Sequence, residues 1–135
     1  MWGFRYLLLC EVIIDEFMTQ NVLLIDDNQK IRELFTSYLQ LKGYQVKVLE
    51  SGVGAVDEVA SKTYDAIILD MAMPDVSGFE VLDEMVKKKL STENVIVLTA
   101  ADLSEKEREK IKAYKIKAFL EKPAELSTIM ALISC

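Results

Sequence analysis

The stretch AIILDMAMPDVSG, residues 66–78, decides the fold of this 135-residue chain. Its first four residues are apolar, which is typical of a strand that is buried on both faces of a sheet. Asp70 ends the run, and Pro74 and Gly78 are typical of the loop that follows a strand. A carboxylate at the carboxyl end of a buried parallel strand faces the crevice where open α/β sheets bind ligands. The stretch therefore predicts an α/β fold with a polar site after this strand.

Three more apolar runs, at residues 22–25, 95–98 and 118–120, lead into polar side chains in the same way. The polar residues that follow them are Asp26 and Asp27, Thr99, and Lys122. The carboxyl ends of parallel strands meet at one edge of a sheet, so we expect these side chains to converge there with Asp70. Three acids, a hydroxyl and an amine are suited to phosphoryl transfer assisted by a metal ion.

With these motifs the sequence resembles the receiver domains of two-component response regulators. The resemblance begins near Asn21 and continues to the end of the chain. It is carried by Asp26-Asp27, Asp70 with Met73-Pro74 and Gly78, Thr99-Ala100, and Lys122-Pro123. Each motif alone is weak, whereas the full set in this order and spacing is highly specific. The resemblance implies a doubly wound, flavodoxin-like (βα)5 fold, an α/β architecture with five parallel strands in the order 2-1-3-4-5.

Alternating strand and helix patterns along the chain agree with this fold. The strands are predicted at about 22–26, 44–49, 66–70, 95–99 and 116–120. We predict that Asn28 caps the first helix, that Gly43 ends it, and that Ser104 opens the fourth helix with a capping box. Apolar spacing predicts that Leu34 of the first helix and Val86 of the third helix face inward.

The resemblance also implies a nucleophile and a metal site. Asp70 is expected to become an aspartyl phosphate. Asp26 and Asp27 are expected to hold Mg²⁺ together with Asp70 and the backbone carbonyl of Ala72, since Mg²⁺ prefers oxygen ligands. Asp75 lies nearby in the loop, where an aspartate is an ordinary turn residue. We therefore expect phosphorylation at Asp70 and not at Asp75.

The remaining site residues are expected to stabilise the phosphoryl group, whose oxygens carry the charge of the transition state. The groups that would contact these oxygens are the Thr99 hydroxyl, the Lys122 amine, and the backbone N–H groups of Ala72 and Ala100. The resemblance makes Thr99 and Phe119 a switch, in which Phe119 swings inward when Thr99 moves toward the phosphoryl group. Packing alone predicts that Phe119 is half-buried.

Composition restricts the partners and the compartment. The chain is 51% hydrophobic and 28% charged, which is typical of a globular domain. Its formal net charge of −6 disfavours direct binding of nucleic acid or of an anionic membrane. There is no histidine, so the chain has neither an imidazole base nor a phosphohistidine step. Cys10 and Cys135 are expected to be free thiols in a reducing compartment, and we expect a cytoplasmic protein.

Residues 1–17 form an N-terminal extension outside the family pattern. Their apolar run is interrupted by acids and is shorter than the ~20 residues that span a bilayer. They lack the basic start and the clear cleavage site of a signal peptide. Either Met18 is the natural start and this segment is a start-site artefact, or the segment is an extra helix that docks on the domain or on a partner. In both cases the receiver domain is predicted at residues 18–135.

The leading interpretation is a stand-alone receiver that takes a phosphoryl group from a histidine kinase or a phosphotransfer protein. It would catalyse only its own phosphorylation and dephosphorylation. Its signal would pass to a downstream protein or to a second copy in a homodimer through residues 99–135. The fourth helix in this region is polar, with only Ile111 and Tyr114 as inward anchors, so it is expected to shift most easily.

Three alternatives remain at this point. A hydrolase of the haloacid-dehalogenase type would need a second acid two residues after Asp70, where Ala72 stands. A flavodoxin would need a loop rich in Ser, Thr and Gly after the first strand, where residues 26–30 are DDNQK. A receiver detached from a larger kinase is the third alternative, and a complete set of five strand-helix units makes it unnecessary.

Overall fold

The computed structural model describes residues 20–100 and 102–134. The strands are β1 Asn21–Ile25, β2 Gln45–Leu49, β3 Ala66–Leu69, β4 Val95–Thr99 and β5 Ala118–Glu121. The helices are α1 Gln29–Leu41, α2 Ala55–Ser61, α3 Gly78–Lys87, α4 Glu105–Ala113 and α5 Leu126–Ser134. The predicted strands are confirmed, with ends that shift by one or two residues. The predictions for residues 1–17 and for both cysteines concern parts of the chain outside the described ranges.

The five strands form one parallel sheet in the order β2-β1-β3-β4-β5, as the resemblance implied. Alternate residues of β1 point to opposite faces of this sheet. Leu23 and Ile25 pack in one cluster with side chains from α2, α3 and α4. Val22 and Leu24 pack in a second cluster with side chains from α1 and α5. Two apolar layers therefore cover the sheet, which explains why its central strands are apolar throughout.

Local capping interactions set the ends of α1. The Asn28 side chain accepts a hydrogen bond from the N–H three residues later, at 3.1 Å, and so caps the helix. Gly43 has φ +94°, a conformation that glycine adopts without strain. The N–H groups of Gly43 and Tyr44 donate to the carbonyls of Gln40 and Leu39, both at 3.0 Å. This is a Schellman motif, and it confirms the predicted end of the helix.

Two capping boxes open helices on the other face of the sheet. In α4, Ser104 and Glu107 each bond the backbone N–H of the other, as predicted. In α3, Ser77 and Glu80 do the same, which the sequence interpretation missed although the Ser-x-x-Glu spacing is identical. Both helices therefore begin at positions that are determined by residues within one turn.

The prediction that Leu34 and Val86 face inward is wrong. Leu34 is 54% exposed and Val86 is 53% exposed. Each is adjacent to a buried residue, Phe35 and Met85 respectively. Successive residues of a helix point about 100° apart, and in these two pairs the neighbour is the residue that faces the sheet. The apolar spacing located the helices but did not decide which edge of each apolar face packs inward.

The helices are short, from 7 residues in α2 to 13 residues in α1. A membrane-spanning helix needs about 20 apolar residues. Within residues 20–100 and 102–134, no helix has the length and apolarity that crossing a membrane requires.

Candidate functional site

The candidate site lies where β1 and β3 end side by side. Ile25 pairs with Leu69 in the sheet, and the Asp70 N–H donates to the Ile25 carbonyl at 2.9 Å. This pairing brings together the next residues, Asp26 and Asp70, which are only 1% and 4% exposed. Carboxylates are rarely so buried unless they are paired or bind a metal. The strand ends therefore provide two buried acids at one point of the sheet edge.

Asp27 adds a third carboxylate to this pair. It is exposed, in contrast to Asp26 and Asp70. Each of the three side chains offers one oxygen, and these oxygens all lie within 4.8 Å of one another. Oxygen ligands of this kind match the preference of a small, hard cation such as Mg²⁺, which binds through a few carboxylates and keeps several waters. The donor set of the described residues thus fits the metal that the resemblance implied.

Lys122 lies against the two buried acids. Its Nζ is 2.8 Å from Asp26 Oδ2 and 3.7 Å from Asp70 Oδ2, and its side chain is 15% exposed. The residue follows β5, and its N–H donates to the Thr99 carbonyl at 2.9 Å. The Lys122-Pro123 peptide bond is cis. The amine is thus close to Asp70, but in this structure its shorter contact is with Asp26.

Thr99 and Phe119 flank this group on the side of β4 and β5. Thr99 ends β4 and is completely buried, and the exposed Ala100 follows it. Phe119 pairs with Val97 in the sheet and is half-buried, as predicted. The guanidinium carbon of Arg108 lies 5.9 Å from the centre of the Phe119 ring. The two predicted switch residues are therefore on neighbouring strands, and a helical arginine covers the aromatic ring.

The loop after β3 is held close to Asp70. The Ala72 N–H donates to Asp70 Oδ1 at 3.1 Å, so this amide already binds a site oxygen. The Gly78 N–H donates to the Met71 carbonyl at 3.2 Å. A Cβ atom at Gly78 would lie 2.7 Å from the Asp70 carbonyl oxygen, which is closer than real Cβ contacts come. Only glycine fits here without a shift of backbone, and this close approach fixes the loop beside the site.

The surroundings of Asp70 favour its neutral form. Burial is the largest cause and raises the pKa of Asp70 to about 6. The negative charge of Asp26 and a hydrogen bond with Asp27 act in the same direction. The Ala72 N–H and the Lys122 charge oppose them by stabilising the carboxylate. A divalent cation would remove the repulsion among the acids and favour the ionised form.

The sequence interpretation missed two residues that hold Asp26. The Asn28 N–H donates to Asp26 Oδ1 at 2.8 Å, and Arg32 Nη1 donates to the Asp26 carbonyl at 2.9 Å. The available signal was spacing, because Arg32 lies three and seven residues before the buried Phe35 and Leu39. An arginine on the inward face of a helix usually has a polar partner. Asp75, in contrast, is exposed in a turn with φ +66° and is not in the acidic group.

Comparisons with known proteins agree with this geometry. A sequence profile described as the response regulator receiver domain matches residues 22–134. The response regulator MprA of Mycobacterium bovis (strain BCG / Pasteur 1173P2) is 35% identical over 85 residues, which are 63% of this chain and 36% of that protein. The chain therefore spans about a third of the length of the curated relatives that it matches.

Solved structures give the same result. Vibrio cholerae chemotaxis protein CheY4 is 26% identical with a TM-score of 0.74, and the match covers 86% of this chain and 97% of that chain. Thermotoga maritima response regulator TrrA, solved in complex with Mg²⁺-BeF, is 30% identical with a TM-score of 0.70 over the same shares. The profile match covers most of the chain, and the strand order and the acidic strand ends agree with it. The chain belongs to the family of response regulator receiver domains of two-component systems.

Proposed function

We propose that this receiver accepts one phosphoryl group on Asp70 from a histidine kinase or a phosphotransfer protein, in a reaction that depends on Mg²⁺. One observation carries the proposal. Asp70 is buried at the end of β3, with carboxylate oxygens of Asp26 and Asp27 within 4.8 Å and Lys122 Nζ at 3.7 Å. A nucleophile, a cation site and an amine thus share one small space, which is what phosphoryl transfer requires.

The metal would be held by Asp26, Asp27 and Asp70, with the Ala72 carbonyl as a further ligand. Bound Mg²⁺ supplies positive charge that offsets the negative charge of the phosphoryl oxygens and of the clustered acids. The similarity to TrrA, which was solved with Mg²⁺-BeF, supports this choice of metal. The oxygen-only donor set of the described residues supports it independently.

The attacking atom is Asp70 Oδ2. The Ala72 N–H holds the other oxygen, Oδ1, at 3.1 Å, and Lys122 Nζ lies 3.7 Å from Oδ2. A new bond forms between Oδ2 and phosphorus as the bond from phosphorus to the donor nitrogen breaks, and that nitrogen keeps the electron pair. The ionised carboxylate is the reactive form, and a group that stabilises it raises the fraction of Asp70 that is able to attack.

The surrounding residues stabilise the transferred group. Lys122 exchanges its contact with Asp26 for a phosphoryl oxygen, as its position between the two acids allows. The Thr99 hydroxyl and the Ala100 N–H bind further oxygens, and the Ala72 N–H, which contacts Asp70 Oδ1 before transfer, joins them afterwards. Catalysis by these groups is positioning and charge stabilisation, and it is limited to phosphorylation and dephosphorylation of the receiver itself.

Output leaves through residues 99–135, to a downstream protein or to a second copy of the receiver. Phosphorylation biases Thr99 and Phe119, whose positions set the surface of α4, β5 and α5. Support comes from the weak packing of α4, in which Ile111 is the only fully buried residue. Elements with few buried contacts shift at low cost. A covalent phosphoryl group can bias such an element because it interacts differently with the two states.

We further propose that the receiver acts as a stand-alone protein in the cytoplasm. The match covers 97% of the chemotaxis protein CheY4 but only 36% of MprA, so relatives of both sizes match and the size of the protein in the cell is the test. An immunoblot of cell fractions tests the statement. A single cytoplasmic band of the size of this chain is expected, and a larger band would show that further domains are attached.

Phosphorylation is tested with Mg²⁺ and phosphoramidate. Intact-mass spectrometry should show the addition of one phosphoryl group to the wild type and none to Asp70→Asn. The matched control is Asp75→Asn, five residues away in the exposed turn, which should accept the group at the wild-type rate. Labelling of Asp70→Asn at the wild-type level, or loss of labelling in Asp75→Asn, contradicts the assignment.

The output surface is tested by amide hydrogen exchange with and without beryllofluoride and Mg²⁺. Protection should change in residues 99–122 and in the loop after Asp70. Changes confined to α1 and α2 contradict the proposed output surface while leaving the phosphorylation site untouched.

A further inference from the structure

We propose that Arg32 is a positioning residue for the metal site, whose guanidinium holds the turn between Asp26 and Asp27 in the geometry that binds Mg²⁺. The inference rests on the proposed function, because it assigns a role toward the same metal. It concerns a side chain on α1 that neither the motifs nor the acidic cluster includes.

The contact is with the backbone and not with a carboxylate. Arg32 Nη1 donates to the Asp26 carbonyl at 2.9 Å, and the Arg32 side chain is only 17% exposed. Its second partner is Glu50, 3.9 Å from Nη2 and 84% exposed. An ion pair so exposed and so long contributes little. The bond to the carbonyl is therefore the interaction that decides where the guanidinium lies.

That carbonyl belongs to the peptide bond that joins Asp26 to Asp27. The other polar groups of Asp26 already have partners, because its N–H donates to the Leu49 carbonyl at 3.1 Å, its Oδ1 accepts from the Asn28 N–H at 2.8 Å and its Oδ2 lies 2.8 Å from Lys122 Nζ. Arg32 donates to the one that remains, the carbonyl oxygen. The orientation of this peptide plane sets the direction of the Cα–Cβ bond of Asp27, from which its exposed carboxylate extends.

Arg32 itself occupies none of the carboxylate oxygens that would bind a metal. An arginine that bound a carboxylate directly would compete with Mg²⁺, whereas a contact with the carbonyl does not. The helix also holds the arginine in place: Arg32 lies on the same face of α1 as the buried Phe35 and Leu39, and its N–H donates to the Asn28 carbonyl at 3.0 Å. Residues that orient metal ligands in this way typically change metal affinity when they are replaced.

The test is Mg²⁺ titration of the metal-free protein by calorimetry. Arg32→Met keeps the length of the side chain but removes its donors, and it should weaken Mg²⁺ binding on the order of tenfold. Arg32→Lys keeps the charge but loses the planar fork, and it should lie between Arg32→Met and the wild type. The matched control is Lys30→Met, which removes one cation from the exposed face of the same helix and should bind as the wild type does.

Phosphorylation rates separate positioning from a chemical role. At saturating Mg²⁺, Arg32→Met should approach the wild-type rate with phosphoramidate, because the defect lies in metal affinity. At Mg²⁺ concentrations below the dissociation constant, its rate should fall in proportion to occupancy. A reduced rate at saturating Mg²⁺ would overturn the inference, because it would place Arg32 in the chemical step.

A purely structural role predicts a different result. In that case Arg32→Met would lower the melting temperature equally with EDTA and with Mg²⁺, and its affinity for Mg²⁺ would match the wild type. If Arg32→Met does not fold, Arg32→Lys decides, and wild-type affinity in that variant overturns the inference. If the wild type itself neither binds Mg²⁺ nor accepts a phosphoryl group, the proposed function fails. If it does both while Arg32→Met binds equally well, only the role of Arg32 fails.

Discussion

The two sides of the site differ in what holds them. On one side, β1 and β3 are central strands whose apolar residues are almost completely inaccessible to solvent, from Val22 to Ile25 and from Ala66 to Leu69. Asp26 and Asp70 extend directly from these strands. On the other side, α4 contributes one buried residue, Ile111, to the core. The two acids of the candidate site are therefore anchored by buried apolar area, whereas the adjacent helix is not.

Polar contacts at the surface hold α4 instead. Asp83 on α3 accepts hydrogen bonds from the Tyr114 hydroxyl and, at 3.1 Å, from Lys110 Nζ. The Tyr114 hydrogen bond is the main reason that the pKa of Asp83 lies below its ordinary value. Arg108 pairs with Glu121 at 2.6 Å, with both side chains about half exposed. Contacts of this kind contribute little each and can be exchanged at low cost. The difference is consistent with the proposed function, in which fixed acids would bind the metal and the phosphoryl group and a mobile α4 would carry the output.

Removal of a buried apolar side chain should lower the free energy of unfolding more in β1 than in α4, and these are the largest effects expected. Leu24→Ala in β1 is expected to lower the free energy of unfolding by about 3 kcal/mol or more, because it leaves a cavity between the sheet and two helices. Ile111→Ala in α4 should cost about 2 kcal/mol, since its helix can close over part of the gap. Urea denaturation measures both. Equal losses would contradict the view that the two sides are packed differently.

Burial of Asp70 should change the free energy of unfolding with pH, by up to about 3 kcal/mol. Because the pKa of Asp70 is raised from 3.8 to about 6, the folded state binds its proton more tightly than the unfolded state does. The stability that this proton provides is complete below about pH 4 and is lost as the pH rises through 6. In EDTA, Asp70→Asn should therefore be more stable than the wild type above pH 6 and equal to it below pH 4. Melting curves across this range measure the difference, which should shrink when Mg²⁺ is added.

Binding of Mg²⁺ to the acids at the ends of β1 and β3 should stabilise the folded state by mass action. Mg²⁺ at ten times its dissociation constant is expected to add about 1.4 kcal/mol to the free energy of unfolding. Asp27→Ala should lose most of this gain, because Asp27 supplies one of the three clustered oxygens. Thermal denaturation with Mg²⁺ and with EDTA gives the comparison. An equal gain in both proteins would place the bound metal elsewhere.

Loss of the Asp83 contacts with Tyr114 and Lys110 should lower the free energy of unfolding by a smaller amount. Asp83→Asn weakens the contacts of Tyr114 and Lys110, and it is expected to cost about 1 kcal/mol. Amide exchange should increase in residues 105–114. The matched control is Asp57→Asn in α2, whose carboxylate is 88% exposed and 3.9 Å from a lysine. Exchange in α4 that stays unchanged in Asp83→Asn would show that Ile111 alone holds the helix.

The smallest effect is expected for the ion pair of Arg108 and Glu121, in which Arg108 also covers the Phe119 ring. A double-mutant cycle of Arg108→Ala and Glu121→Gln should give a coupling energy below about 1 kcal/mol, which falls further as salt is added. The absence of a salt dependence would contradict the assignment of this contact as a screened surface pair.

Much of the fold is determined locally. The apolar runs, the residues that end them and the caps at Asn28, Gly43 and Ser104 all act within a few positions, so the strands and these three helix ends were predicted to within one or two residues. The convergence of Asp26, Asp27, Asp70, Thr99 and Lys122 follows from parallel strands that end at one edge. Their chemical roles remain predictions for the experiments above.

The rest depends on parts of the chain that meet only after folding. Lys122 and Asp26 are 96 positions apart, and no local pattern states that the amine lies closer to Asp26 than to Asp70. The exposure of Leu34 and Val86 depends on how each helix rotates against the sheet. Arg32 reaches the Asp26 carbonyl, six positions earlier, only because the start of α1 brings its side chain back over the end of β1. The sequence by itself determined the strands and helices and their order along the chain, through short-range periodicity and capping. Tertiary packing decided which polar groups meet, because a buried polar group is stable only with a partner.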